Sequence, residues 1–193
     1  KDSIRAVDAD IVFLQEVVGQ HQRHAEKFEE WPSSSQFEFL ADEVWTHYAY
    51  GKNAVYSAGH HGNAILSAFP IASWQNHDIS TNPLENRGLL HAAVTVPESG
   101  RTIHCFCVHM SLFHRGREKQ IQTIAGKIKQ EAGLDVPFIL AGDFNDWRHR
   151  ASAGLTAELN AAEIFQKLHG AYARTFPAFF PILRLDRIYV RGI

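Results

Sequence analysis

Residues 136–146 read VPFILAGDFND, and this stretch decides the fold. The apolar run at 136–141 predicts a buried strand that a glycine ends. In extended chain, Asp143 and Asn145 point to the same side, while the phenylalanine between them points away. A carboxylate and an amide then face one point at the end of a strand, where α/β folds usually hold their sites. Taken alone, however, the stretch fits better a turn capped by Asp and Asn.

Three other predicted strands carry polar residues at one end. Glu16 follows the apolar residues of 10–17, where a carboxylate is costly unless it is solvated, paired or metal-bound. His109 ends the run TIHCFCVH, and a histidine can donate to a phosphate oxygen or protonate a leaving group. Asp186 begins the last strand between two arginines. Each also has a structural interpretation: a solvated strand end, a core histidine among the 12 of this chain, or an Asp–Arg pair.

Strand-like runs alternate with helical stretches, which predicts a single α/β domain over residues 1–193 with mixed sheets. The turn PESG at 97–100 joins two apolar runs, 88–96 and 102–109, into a β-hairpin. The clearest helix covers 115–132, because its apolar residues share one face and a glycine follows. We also predict strands at 10–17, 62–67, 71–79 (antiparallel to the strand before it), 136–141 and 185–190, and helices at 20–28, 36–45 and 157–168.

Composition narrows the class of protein. The 193 residues are 45% hydrophobic, enough for a substantial core, and the net charge of −2 disfavours a strongly basic nucleic-acid binder. Cys105 and Cys107 lie two apart on one strand, with poor geometry for a disulfide and without zinc-finger spacing. This cysteine usage favours a reducing, cytoplasmic compartment. The apolar stretches are shorter than the ~20 residues that a transmembrane helix needs.

Taken together, the strand ends resemble the endonuclease/exonuclease/phosphatase superfamily, which has the DNase I-like fold. The matching pieces, in the family's order, are LQE at 14–16, GNAILS at 62–67, the strand ending at His109, GDFND at 142–146 and LDRIYV at 185–190. They cover nearly the whole chain. The resemblance implies a four-layer α/β/β/α sandwich of two mixed β-sheets flanked by helices. It also implies hydrolysis of phosphoester bonds with a divalent metal. This metal is expected to be Mg²⁺, or Mn²⁺ instead of Mg²⁺.

The resemblance implies a role for each residue at the strand ends. Glu16 looks like the Mg²⁺ ligand. Asp143 looks like the group that orients or deprotonates the attacking water, with Asn145 holding Asp143 or the phosphate. His109 resembles the family histidine that contacts the scissile phosphate. Asp186 resembles the acidic residue that orients a further catalytic histidine.

Two weaker candidates complete the set that the resemblance implies. Asn63 is expected to support the site, and Arg87 to contact phosphate or pair with a carboxylate. The family also opens with an Asn-bearing strand and closes with Ser-Asp-His, and neither is present here, so we expect the chain to be truncated at both ends. That absence motivates an alternative function, a non-catalytic member that binds a phosphorylated partner or another protein.

The substrate classes that the resemblance allows are nucleic acids, inositol phosphates and phospholipid headgroups. The histidine at 109 is more similar to the DNase I, sphingomyelinase and phosphatase branches than to the abasic-site nucleases. The sequence leaves the substrate and the oligomeric state open.

Overall fold

A computed structural model describes residues 2–21, 35–41, 44–148 and 150–193. The helices are α1 Asp2–Arg5, α2 Gln36–Ala41, α3 His114–Ala132, α4 Arg150–Leu159 and α5 Ile164–His169. The strands are β1 Ile11–His21, β2 His47–Tyr56, β3 Gly59–Ser67, β4 Ile71–Asp78, β5 Gly88–Thr95, β6 Thr102–His109, β7 Phe138–Asp143, β8 Ala162–Glu163 and β9 Asp186–Arg191.

The described strands form two sheets. A three-stranded sheet has the order β1-β3-β2, and a six-stranded sheet has the order β4-β5-β6-β7-β9-β8. The larger sheet is mixed, because β6 and β7 run parallel while its other neighbouring strands run antiparallel. The pairs of the smaller sheet are antiparallel within the described residues. The long helix α3 makes the crossover between β6 and β7, as a parallel connection requires.

Apolar side chains fill the space between four layers. One cluster lies between the two sheets and includes Ile65 of β3 and Leu90 of β5. A second packs the larger sheet against α3 and α4, with Phe106 and Ile124 both fully buried. A third packs the smaller sheet against α1 and α2 around Trp45. Each fully buried large side chain contributes about 1.5–3 kcal/mol. The four-layer α/β/β/α sandwich is therefore confirmed.

Several local predictions are also confirmed. The hairpin forms as β5 and β6, which pair antiparallel from Leu89↔Val108 to Thr95↔Thr102. The long helix begins one residue before the predicted start and ends at Ala132. The strands predicted at 10–17, 136–141 and 185–190 are present as β1, β7 and β9, with shifted bounds. Cys105 and Cys107 are buried and free, without a disulfide.

Other local predictions are wrong. The strand at 71–79 does not pair with the one before it, because β4 joins β5 in the other sheet. The helix predicted at 157–168 is interrupted at Asn160, whose φ of 50° is left-handed, and two helices and β8 take its place. The helix at 36–45 is described only to Ala41. Of the helix at 20–28, the first two residues belong to β1 and the rest lie outside the described residues.

Candidate active site

Strand register brings three of the predicted site residues to one edge of the larger sheet. His109 lies beside Asp143 in the parallel pair β6–β7, and Asp143 lies beside Asp186 in the antiparallel pair β7–β9. Gly142 allows β7 to approach β6 closely, since a Cβ at this position would lie 1.9 Å from the carbonyl oxygen of Val108. A histidine and two aspartates therefore stand next to one another on three adjacent strands.

Glu16 reaches this edge from the other sheet through a β-bulge. The β1–β3 register shifts between Leu14 and Val17, so that Gln15 and Glu16 together oppose Asn63. Glu16 has a left-handed φ of 55°, a conformation that costs a non-glycine residue about 1–3 kcal/mol. Bulges re-aim side chains, and the Glu16 carboxylate comes 3.6 Å from Nδ1 of His109 while its side chain stays 63% exposed.

His109 lies between two carboxylates and is itself largely buried. Its Nε2 is 3.7 Å from Oδ2 of Asp143, and its side chain is 13% exposed. Burial lowers the pKa of His109 to about 4, aided by the charge of Arg87 and opposed by Glu16, Asp186 and Glu85. The ring is therefore neutral near pH 7, and both contacts are longer than hydrogen bonds. A neutral imidazole so placed can donate one hydrogen bond and accept another.

The loop after β7 holds Asp143 in place. The backbone N–H of Asn145 donates to Oδ1 of Asp143 at 2.7 Å, and the Asn145 amide donates to the carbonyl of Met110 at 2.9 Å. Asn145 is buried and has a left-handed φ of 48°. Burial raises the pKa of Asp143, while the N–H of Asn145 lowers it; the charges of Asp186 and Glu16 also raise it, and that of Arg87 lowers it. Asn145 therefore ties the loops after β6 and β7 together around this carboxylate.

Arg87 brings a positive charge to the same edge. It precedes β5, and its guanidinium lies 3.4 Å from Oε1 of Glu85. Of the two roles predicted for it, the structure shows the pairing with a carboxylate. Glu85 also accepts from the Ser111 hydroxyl and, at 3.1 Å, from the N–H of Leu112. Sequence reasoning missed Glu85 and Ser111, although the polar run just before β5 was a usable signal.

Asn63 and Asp186 occupy different surroundings. Asn63 is 1% exposed, and its amide donates to the carbonyls of Gly88 and Cys107 at 2.9 and 3.2 Å, so it links the two sheets behind the bulge. Asp186 is exposed, and its N–H donates to the hydroxyl of Thr175 at 3.2 Å. The predicted site residues are thus brought to one region, with Asn63 beneath it.

Comparisons with known proteins agree with this architecture. Residues 1–192 match the profile of the Endonuclease/Exonuclease/phosphatase family. The chain belongs to this family. It is 47% identical over 192 residues to the uncharacterized protein YbhP of Escherichia coli strain K12. The matched segment covers 100% of this chain and 76% of YbhP.

Two solved structures show the same fold. The endonuclease/exonuclease/phosphatase of Beutenbergia cavernae DSM 12333 has a TM-score of 0.71 at 19% identity, covering 99% of this chain and 57% of that one. The catalytic domain of human Nocturnin with bound sulfate has a TM-score of 0.75 at 19% identity. That match covers 99% of this chain and 72% of the Nocturnin chain. This chain thus spans little more than half of the Beutenbergia protein.

Members of the Endonuclease/Exonuclease/phosphatase family are typically hydrolases that act on phosphoesters, and membership supports that general activity. In the described part of the chain, no helix is long and apolar enough to cross a membrane.

Proposed function

We propose that the protein is a Mg²⁺-dependent phosphoester hydrolase in which water attacks the phosphorus in line. One observation carries the proposal: the convergence of Glu16, His109 and Asp143 at one edge, with His109 3.6 and 3.7 Å from the two carboxylates. Family membership supports the same reaction class.

The donor set fits Mg²⁺ better than zinc. Within the described ranges, no group of three or more His, Cys, Asp or Glu side chains is arranged to hold a metal ion. Mg²⁺ keeps several of its waters and needs only one or two protein carboxylates. The Glu16 carboxylate is 63% exposed and faces the cluster, so Glu16 would hold the ion. Bound there, Mg²⁺ would neutralise charge on the phosphate.

The protein groups have separate tasks in the proposed reaction. Asp143, held by the N–H of Asn145, orients the attacking water and accepts its proton. Burial raises the pKa of Asp143, which makes it a better proton acceptor than an exposed aspartate. His109 is neutral and donates a hydrogen bond to a phosphate oxygen. Arg87 adds positive charge to balance the carboxylates, and Asp186 would orient a further histidine.

The direct test is hydrolysis by the purified protein with Mg²⁺ and with chelator. The substrates are plasmid DNA, RNA, inositol phosphates and phospholipid vesicles. We expect turnover on at least one substrate, lost with chelator and restored by Mg²⁺. Glu16→Gln should raise the Mg²⁺ concentration for half-maximal turnover about tenfold, since loss of a carboxylate ligand weakens the site. Glu98→Gln, which changes an exposed carboxylate in the turn after β5, is the matched control.

Two results would count against the proposal. Turnover that survives chelation would contradict metal dependence, and a Mg²⁺ titration unchanged by Glu16→Gln would remove Glu16 as the ligand. Phosphate binding without turnover on any substrate would favour the non-catalytic alternative.

A further inference from the structure

A cavity of about 380 Å³ opens between the loop that precedes β5 and the first turns of α3. We call it the side pocket. Its apolar wall is formed by Pro83, Leu84 and Phe113, and Leu84 and Phe113 are exposed. Its other lining residues are Thr81, Asn82, Arg115, Gly116 and Lys119. The side pocket therefore combines an apolar surface with two cationic side chains.

The two cations of the side pocket are free to bind a ligand. Arg115 and Lys119 both have exposed side chains, and across the described residues neither side chain forms a hydrogen bond or an ion pair. Arg117, by contrast, is buried and donates to the carbonyls of Ser111 and Leu112. The arginine between the two pocket cations therefore holds the loop, whereas Arg115 and Lys119 present charge to the cavity.

The side pocket adjoins the candidate active site through its own walls. Leu84 immediately precedes Glu85, and Glu85 pairs with Arg87, whose charge acts on His109 and Asp143. At full extension, at most about 11 Å of chain separates Leu84 from Arg87. On the other wall, Ser111 binds the Glu85 carboxylate close after His109. The side pocket and the candidate active site therefore share the loop that contains Leu84, Glu85 and Arg87.

We propose that the side pocket binds a second phosphate of the substrate, one that is not cleaved, together with the apolar group attached to it. This inference rests on the proposed function, because it names the class of substrate for the same site. Arg115 and Lys119 would pair with the phosphate, since ammonium and guanidinium groups bind phosphate oxygens strongly. Leu84 and Phe113 would cover an apolar neighbour such as the face of a nucleobase or the acyl chains of a lipid.

The test compares matched substrates with and without a second phosphate. One pair is dithymidylate with and without a 5′-terminal phosphate. The other is dihexanoyl phosphatidylinositol 4-phosphate, whose uncleaved phosphodiester carries the acylglycerol, and inositol 4-phosphate, which lacks that phosphodiester. We expect the wild-type KM to be lower for the member with the second phosphate. If the nucleotide pair shows this preference, the second phosphate belongs to a nucleotide substrate. If the lipid pair shows it, the second phosphate belongs to a lipid substrate.

The double variant Arg115→Ala/Lys119→Ala should remove this preference. We divide the KM of the substrate without the second phosphate by the KM of the substrate that has it. In the double variant this ratio should fall about tenfold, which corresponds to the loss of roughly one charge-assisted contact. Lys127→Ala/Lys129→Ala removes the same charge from the far end of α3 and should keep the wild-type ratio. A preference that survives the pocket variant, or falls equally in the control, would overturn the proposal.

A binding readout keeps the inference separate from catalysis. The dye 8-anilinonaphthalene-1-sulfonate carries an apolar ring system and one negative charge. If the wild type cleaves neither pair, dye binding decides about the side pocket, and the proposed function fails only if the protein also hydrolyses no other substrate of the panel. Its Kd should rise about tenfold in Arg115→Ala/Lys119→Ala and stay unchanged in the control. Equal binding by all three proteins would overturn the side pocket as a site for such a group.

Discussion

Two histidine–carboxylate clusters on the larger sheet have similar contacts and different positions. The edge cluster comprises His109, Asp143 and Asp186 at the ends of their strands and Glu16 in the bulge within β1. The face cluster comprises His77, His91, His104 and Glu131, with the histidines on β4, β5 and β6 and the glutamate on α3. In the face cluster, His77 and His91 lie 3.6 and 3.7 Å from the two oxygens of Glu131. These distances match those around His109.

The two clusters differ in backbone conformation and in exposure, although their histidine–carboxylate distances are alike. His91 stacks on the ring of Phe106, shares a 2.8 Å hydrogen bond with His104 and is 4% exposed, in regular antiparallel register. The edge cluster contains Glu16 with a left-handed backbone and a 63% exposed carboxylate. Strain that persists next to an open carboxylate is typical of functional sites. A histidine–carboxylate contact alone is therefore weak evidence for catalysis.

Removing one histidine from each cluster tests whether the two clusters differ in function. His109→Ala should lower turnover by about 10²–10⁴-fold, because it removes the group that we propose contacts the reacting phosphate. His91→Ala should change turnover less than about threefold and lower the free energy of unfolding by about 1–3 kcal/mol, because it leaves a cavity. Steady-state kinetics and urea unfolding of both variants measure this. Equal losses of turnover would show that the two clusters do not differ in function.

Substitution of Gly142, which sets the spacing of β6 and β7, is expected to change turnover less than loss of His109 does. Gly142→Ala places a Cβ against the Val108 carbonyl and should lower the free energy of unfolding by about 1–3 kcal/mol. It should also lower turnover, since His109 and Asp143 are moved apart. Gly126→Ala is the control, because α3 leaves open space there and alanine favours helix. A Gly142→Ala protein as stable and active as wild type would show that this close approach is not needed.

The smallest effect concerns the pH dependence of stability. Burial lowers the pKa of His91 to about 4, with His104 and His77 adding to the shift and Glu131 opposing it. Between pH 6.5 and 4 the unfolded chain therefore binds a proton that the folded chain does not, and stability falls as pH falls through this window.

His91→Gln removes that titration and should flatten the fall in the free energy of unfolding between pH 6.5 and 4. Urea unfolding across this range measures the change. The exposed His169→Gln on α5 should keep the wild-type slope. An unchanged slope in His91→Gln would mean that His91 binds its proton equally in both states.

Sequence reasoning works best where the signal is local. The turn at 97–100 and the apolar runs around it are sufficient to predict the β5–β6 hairpin. The ordered strand ends are sufficient to predict the family and the layers. By contrast, β2 has no long apolar run in its sequence HYAYGKNAVY, so its strand signal is weak. The assignment of β4 to the larger sheet depends on pairing with distant chain, which periodicity does not encode.

The candidate site shows the same limit. Asp143 and Asn145 are predictable because they follow a buried strand in extended chain. The approach of Glu16 depends on a bulge and a left-handed residue opposite Asn63, and no pattern in LQE signals either. Glu85 contacts Ser111 only after two loops from distant parts of the chain meet. Long-range contacts of this kind can be identified only in the three-dimensional structure.

The most direct measurement of the central claim is the turnover of Asp143→Asn on the phosphoester that the wild type hydrolyses with Mg²⁺. The amide keeps an acceptor for the N–H of Asn145, so folding should be preserved, while the proposed proton acceptor for water is lost. We predict a loss of about 10²–10⁴-fold in turnover with an unchanged melting temperature. The matched variant Asp10→Asn, at an exposed position just before β1, should retain full turnover. Wild-type turnover in a folded Asp143→Asn protein would contradict the account.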